Sequence, residues 1–349
     1  MVVFRSEVAM RFWCCVLWLG GLSGCVRPIA AFTCTSSDQC TEGGVCQPVG
    51  FCSFADQNCP SGQIYGAASG ALGGLCVGSE PMGIDAPLGC DRAKPFGSPT
   101  LVGGLAASTE DASLRLSPDE NTAYFFSARS GKKLLYTAHR SSANAAFTNV
   151  EVLANVNTSD QYNPTITADG LTLFFAAYRD ATNNNDIFQA SRSESTGDFT
   201  NPHVAPNVNT TASEVQPYIT RDGTTMYFVR TVAAAQTVLR AVGSVTAGFA
   251  NPGVVAELDG PTNDSDPVLS ADGLTLYWGS DRPGGLGDVD VWQIQRPSTT
   301  EPFGAPAPIE SVNTAGFDAP SDVSADGCRL YLTSTRGGRT SIYVATRPP

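Results

Sequence analysis

Leu269-Ser-Ala-Asp272-Gly-Leu-Thr-Leu-Tyr-Trp278 governs how the rest of this chain is read. Two apolar stretches flank an Asp-Gly pair, which is the chemistry of a tight hairpin, because glycine takes positive φ without steric penalty. The same grammar recurs in Leu116-Ser-Pro-Asp119-Glu-Asn-Thr-Ala-Tyr-Phe-Phe126, Ile166-Thr-Ala-Asp169-Gly-Leu-Thr-Leu-Phe-Phe175, Ile219-Thr-Arg-Asp222-Gly-Thr-Thr-Met-Tyr-Phe228 and Val323-Ser-Ala-Asp326-Gly-Cys-Arg-Leu-Tyr-Leu332. The turn aspartates lie 50, 53, 50 and 54 residues apart. A fixed period of that length, with several strands per unit, indicates a propeller or an array of small sheets. A third strand follows each hairpin, as in Asp186-Ile-Phe188 and Ser341-Ile-Tyr343. A fourth carries a Phe-x-x-Pro signal at Phe96/Pro99, Phe199/Pro202, Phe249/Pro252 and Phe303/Pro306. Helical periodicity is absent.

Composition agrees with an all-β chain. Of 349 residues, 35 are Gly and 23 are Pro, and charged residues make up 15%, against roughly 25% for an average domain. The net charge is −12 and only three lysines occur (Lys94, Lys132, Lys133), so no footprint for a nucleic-acid backbone exists. With two histidines, His139 and His203, a His-based metal centre or a Ser-His-Asp triad is a poor expectation.

The N-terminal stretch reads as an address. Arg5 and Arg11 precede an apolar run, Phe12 to Leu22, too short to span a bilayer, which needs about 20 residues. It ends in Leu22-Ser-Gly-Cys25, which resembles a bacterial lipobox. Residues 1–24 are therefore expected to be a signal peptide and Cys25 the lipidated residue of an outer-membrane lipoprotein facing the periplasm or the exterior; ordinary cleavage to a secreted protein is the alternative. Cys34, Cys40, Cys46, Cys52, Cys59 and Cys76 crowd into 25–77, a polar segment with too few apolar residues to make a core unaided. Disulfides are expected there over zinc, since Cys-x2-Cys pairs and His ligands are missing, and the sequence does not choose among the fifteen pairings. Residues 78–89 read as a linker, and 90–349 as the repeat domain.

The repeats look like the WD-like units of TolB-type β-propellers, where Ser-Pro-Asp-Gly-x-x-Leu-Tyr-Phe joins the two innermost strands of a blade. Ser280-Asp-Arg-Pro-Gly-Gly-Leu-Gly-Asp288 with Val289-Asp-Val-Trp292 is an especially close match. The resemblance implies a fold rather than a function. The first unit departs from it with Glu120 in place of glycine, and the fifth with Cys328 after the turn. Five units predict a five-bladed ring, with six blades, as in TolB itself, the alternative. The chain opens on a fourth-type strand and closes on a third-type strand, so the N-terminal strand is expected to complete the last blade. A Cys90–Cys328 disulfide would fasten it.

Counting back eight residues from each turn aspartate reaches Asp111, Gln161, Glu214, Asp264 and Asp318, with Asp266 nearby. Five-fold arrangement predicts an acidic collar at one mouth of the axial channel, able to hold a basic segment or a cation such as Ca2+; no cofactor is otherwise implied. Arg129, Arg179, Arg230, Arg282 and Arg336, after each second strand, are expected to pair with acidic groups within or between blades. The functional expectation is a lipid-anchored, monomeric binding protein or scaffold that docks an envelope protein or a cell-wall component, and no enzyme. The alternative is a glycoside hydrolase using two channel-mouth carboxylates, about 5–5.5 Å apart in a retaining enzyme and about 6.5–9.5 Å in an inverting one.

Overall fold

The computed structural model describes residues 37, 40, 43–46, 52–57, 63–65 and 90–349, apart from 108, 154, 158, 179–183 and 259. Cys25, Cys34, Cys59, Cys76 and Arg179 lie outside the described residues. The chain divides into two compact units, 1–78 and 79–349. In the first, β1 (Val45–Cys46), β2 (Cys52–Ala55) and β3 (Gln63–Tyr65) form an antiparallel sheet in that order. Cys40 is disulfide-bonded to Cys52, and Cys46 is oxidised as well. So small a sheet has little apolar surface to bury, and the crosslink shortens the unfolded chain instead.

The second unit holds five four-stranded antiparallel sheets. The first comprises β5 (Asp111–Leu116), β6 (Thr122–Ser127), β7 (Leu134–His139) and β8 (Thr148–Val152). The second comprises β9 (Gln161–Ile166), β10 (Thr172–Tyr178), β11 (Asn185–Ser191) and β12 (Thr200–Val204). In the third are β13 (Ser213–Ile219), β14 (Thr225–Val232), β15 (Ala235–Ser244) and β16 (Gly248–Val254). The fourth has β17 (Asp264–Leu269), β18 (Thr275–Ser280), β19 (Asp290–Gln295) and β20 (Ala307–Pro308). The last joins β21 (Asp318–Val323), β22 (Arg329–Ser334) and β23 (Ser341–Thr346) to β4 (Thr100–Leu101) from the start of the unit. The register Tyr343↔Leu101 and Val344↔Thr100 fixes that closing strand. Strands β5, β9, β13, β17 and β21 touch one another in cyclic order, so the sheets stand as blades around an axis.

Each hairpin turn is built as its sequence requires. The aspartate accepts a hydrogen bond from the hydroxyl two residues earlier and from the backbone two residues later; Ser270 Oγ and Leu274 N donate to Asp272 Oδ1 at 2.6 and 3.0 Å. Gly170, Gly223, Gly273 and Gly327 follow with φ between 68 and 73°. Glu120 takes the same left-handed conformation, φ 57°, in the first blade.

The core lies between blades. One apolar cluster joins Leu114, Phe125 and Tyr136 of the first blade to Tyr331 and Ile342 of the last, and another joins Phe174, Ile187 and Phe228 across the second and third. Polar latches cross the same seams. Arg192, just after the third strand of the second blade, donates to Gly170 O at 2.7 Å and to Tyr124 Oη of the preceding blade at 2.9 Å. Its guanidinium lies 4.3 Å over the Phe199 ring. Arg140 makes the matching set with Glu120 O, Tyr331 Oη and the Phe147 ring. Arg347 repeats it with Gly327 O, Tyr277 and Phe96. Phe96 and Phe199 of the Phe-x-x-Pro signal, and Phe147 at the same place in the first blade, are thus the platforms on which the latch arginines stack.

Candidate functional site

The residues counted to the channel mouth are buried and already partnered. Side chains of Asp111, Glu214, Asp264 and Asp318 are 0–4% exposed, and Arg129, Arg230, Arg282 and Arg336 of the same blades pair with them at 2.7–2.9 Å. Each carboxylate is held further by backbone or side-chain donors. Ala107 N donates to Asp111 at 2.7 Å, Thr210 N to Glu214 at 3.0 Å, Thr314 N to Asp318 at 2.7 Å, and Trp278 Nε1 to Asp264 at 3.0 Å. The same arginines reach back to carbonyls of the inter-blade connector, as Arg129 Nη2 does to Leu105 O at 2.7 Å. In the second blade Gln161 uses its own amide on the corresponding carbonyl, Val156 O, at 2.5 Å.

The expected negatively charged collar is therefore corrected: these acids are one half of ion pairs that clamp each connector to its blade. Their oxygens face guanidinium groups, so the donor set does not suit a Ca2+ ion, which takes six to eight free oxygen ligands. Among the described residues no three His, Cys, Asp or Glu side chains converge on a metal-binding geometry. The four described arginines after the second strands pair as the sequence led us to expect.

Asp266 behaves differently, since it lies on the axis. Ser113, Asn163, Gln216 and Asp266 occupy one bulge position of four inner strands, each with φ between 49 and 54°. Their side chains bond round the axis: Asn163 Nδ2 donates to Ser113 Oγ and Gln216 Nε2 to Asp266 Oδ2, both at 2.8 Å. Two residues further on, Arg115, Thr165, Tyr218, Val268 and Asp322 form the next layer.

In this second layer the repeat is broken completely, with a cation, a hydroxyl, a phenol, an alkyl group and an acid at equivalent positions. Arg115, Tyr218 and Asp322 line a cavity of about 30 Å3, with Arg221 from the third hairpin turn also in its wall. Arg115 Cζ stands 5.3 Å from the Tyr218 ring, whose hydroxyl donates to Leu269 O at 2.6 Å. Burial pushes the Asp266 carboxyl up to about 6, offset in part by Arg115, and raises Asp322 for the same reason. Burial also lowers Arg115 from its ordinary value.

Counting four residues back from each turn aspartate instead of eight finds this layer. The visible signal was disagreement between repeats, where a search for recurrence does not look. The connectors carry a second motif, whose partners are backbone groups and leave no mark in the sequence. Val156-Asn157, Val208-Asn209 and Val312-Asn313 recur in the connectors, and each asparagine pairs with both backbone groups of one residue in the preceding third strand.

No protein-family model and no curated protein matches the sequence. Solved structures do. An endo-arabinase from Bacteroides thetaiotaomicron aligns over 72% of this chain and 97% of its own, at 13% identity and a TM-score of 0.51. TolB from Acinetobacter baumannii aligns over 70% of this chain at 18% identity and a TM-score of 0.46. An α-L-arabinofuranosidase from Podospora anserina gives 74%, 13% and 0.48. This is a β-propeller, structurally similar to TolB. The chain spans only 56% of the length of the Acinetobacter TolB structure. A fold shared with the endo-arabinase at 13% identity assigns no activity to this chain.

Proposed function

We propose that the chain is a lipid-anchored envelope scaffold, tethered through Cys25, whose ring of five blades docks another protein or a cell-wall component. One observation carries this reading: every described acid that recurs eight residues before a turn aspartate is engaged by an arginine of its own blade, so none of them is free for acid–base work. The axis itself has about 30 Å3 of free space, whereas small-molecule sites occupy roughly 300–1,000 Å3.

Recognition then falls to the face carrying the hairpin turns. A groove of about 580 Å3 opens there between the first two blades, and another of about 350 Å3 between the third and fourth. Arginines stand in both walls, Arg192 in the first and Arg240 and Arg296 in the second. Crosslinking and pull-down from envelope membranes tests the proposal. A discrete partner is expected, recovered at least ten-fold less with Arg240→Ser, and an N-terminus acylated on Cys25 is expected by mass spectrometry. An unmodified, freely secreted chain with no partner overturns it.

The second reading, a glycoside hydrolase, would take Asp266, pushed up to about 6 by burial, as its general acid and requires the axis to open well beyond its about 30 Å3. Turnover of arabino-oligosaccharides that disappears in Asp266→Asn would establish it in place of the scaffold.

A further inference from the structure

We propose that the axial cavity is a binding site for one small monovalent anion of about the size of chloride. Arg115 is only 5% exposed, yet its guanidinium makes a single hydrogen bond, Nη1 to Leu114 O at 3.3 Å. Nε is fully buried with no partner. A guanidinium has five donors in a fixed fork, and a buried cation left without acceptors is strongly unfavourable.

The nearby acids do not supply those acceptors. Asp322 accepts Leu116 N on Oδ2 and Val323 N on Oδ1, each at 2.8 Å, and Asp266 Oδ2 is taken by Gln216. Neither comes within ion-pair distance of Arg115. Arg221 lines the same cavity from the lip, with no hydrogen bond or ion pair to a described residue. Its counterparts in the other turns are Pro118, Ala168, Ala271 and Ala325, so only one blade brings a cation to this mouth. Two arginines with idle donors therefore share about 30 Å3, room for one water-sized occupant and for nothing as large as a sugar ring. Asp322 and Asp266 oppose the charge of Arg115 from a distance without bonding to its guanidinium, so what a halide-sized anion adds is a single acceptor shared by the idle donors of both arginines.

Crystals of the full chain soaked in sodium bromide are expected to show one anomalous peak on the axis, within hydrogen-bonding distance of Arg115. In solution, chloride at several times its Kd is expected to raise the unfolding midpoint by about 2–4 °C over gluconate at equal ionic strength, in a saturable way. Arg221→Ala should weaken that rise several-fold and Arg115→Met should abolish it. If Arg115→Met does not fold, Arg221→Ala carries the comparison. Water alone on the axis, an adventitious bromide without the chloride-specific rise, or an equal rise in both variants overturns the proposal.

Discussion

Tyr124, Tyr277 and Tyr331 occupy one position of the second strand, and each hydroxyl meets the arginine just after the third strand of the following blade. The second blade has Phe174 there, and the third blade, which should supply its arginine, has Gly243. A Cβ on Gly243 would stand 2.1 Å from Gly248 O, because the third blade's last hairpin runs on to Ser244↔Gly248. The latch arginine has no room, and the tyrosine that would need it is a phenylalanine packed edge-on to Phe249. Phe174→Tyr should therefore bury an unpaired hydroxyl and destabilise by about 1–3 kcal/mol, while Tyr124→Phe costs about 1 kcal/mol, both read by denaturant unfolding. Asp266 makes a pH prediction. Its folded carboxyl titrates at about 6 against 3.8 ordinarily, so between those values the native state holds the extra proton and stability falls as pH rises through 6. Wild type should gain about 1 kcal/mol on going from pH 7 to pH 5, measured relative to Asp266→Asn. Asp322, shifted in the same direction, remains in both proteins and drops out of the comparison.

At the scale of elements, the two departures from the repeat explain each other. Glu120 stands where the other turns have glycine, and Arg329 where the other second strands begin with threonine. Arg329 Nε and Nη2 donate to Glu120 Oε2 and Oε1 at 3.0 and 2.7 Å across the seam between last and first blades, and Tyr331 Oη adds a third bond at 3.0 Å. Restoring the repeat at one end only, as Glu120→Gly, strips the buried Arg329 guanidinium of both its hydrogen bonds, leaving only Asp326 at 3.7 Å, and should cost about 3–5 kcal/mol despite the better turn residue. Adding Arg329→Thr should recover most of that loss, and a double-mutant cycle measures the coupling. From sequence, Glu120 was visible as an exception but not as a partner, because Arg329 lies 209 residues away. Four of the fourth strands were legible through Phe-x-x-Pro, and the third through short apolar segments after each hairpin such as Asp186-Ile-Phe188. The asparagine ties were not, since their bonds go to backbone groups that carry no signature in the residues they touch.

For the whole molecule, ring closure is the step that no local signal enforces. Cys90 is joined to Cys328, 238 residues later, and so holds the segment leading into β4 against the last blade. Arg92, beside it, pairs with Asp272 of the fourth blade at 2.6 Å. Replacing both cysteines by serine should lower stability by about 2–5 kcal/mol, since the constraint on the unfolded chain spans so long a loop. Limited proteolysis should then cut first near residues 90–104, where β4 has only one neighbouring strand.

The repeat grammar by itself determined the strands, their order within each blade and the turn chemistry, because these depend on residues a few positions apart whose φ/ψ preferences and alternation act locally. Where charges end up was decided by the tertiary structure alone. The acids at the channel mouth read as a free collar in one dimension and close onto their own arginines in three, since pairing outweighs exposure once the connectors fold over them. The axis, where five unlike side chains meet from strands about 50 residues apart, exists only after the ring has closed.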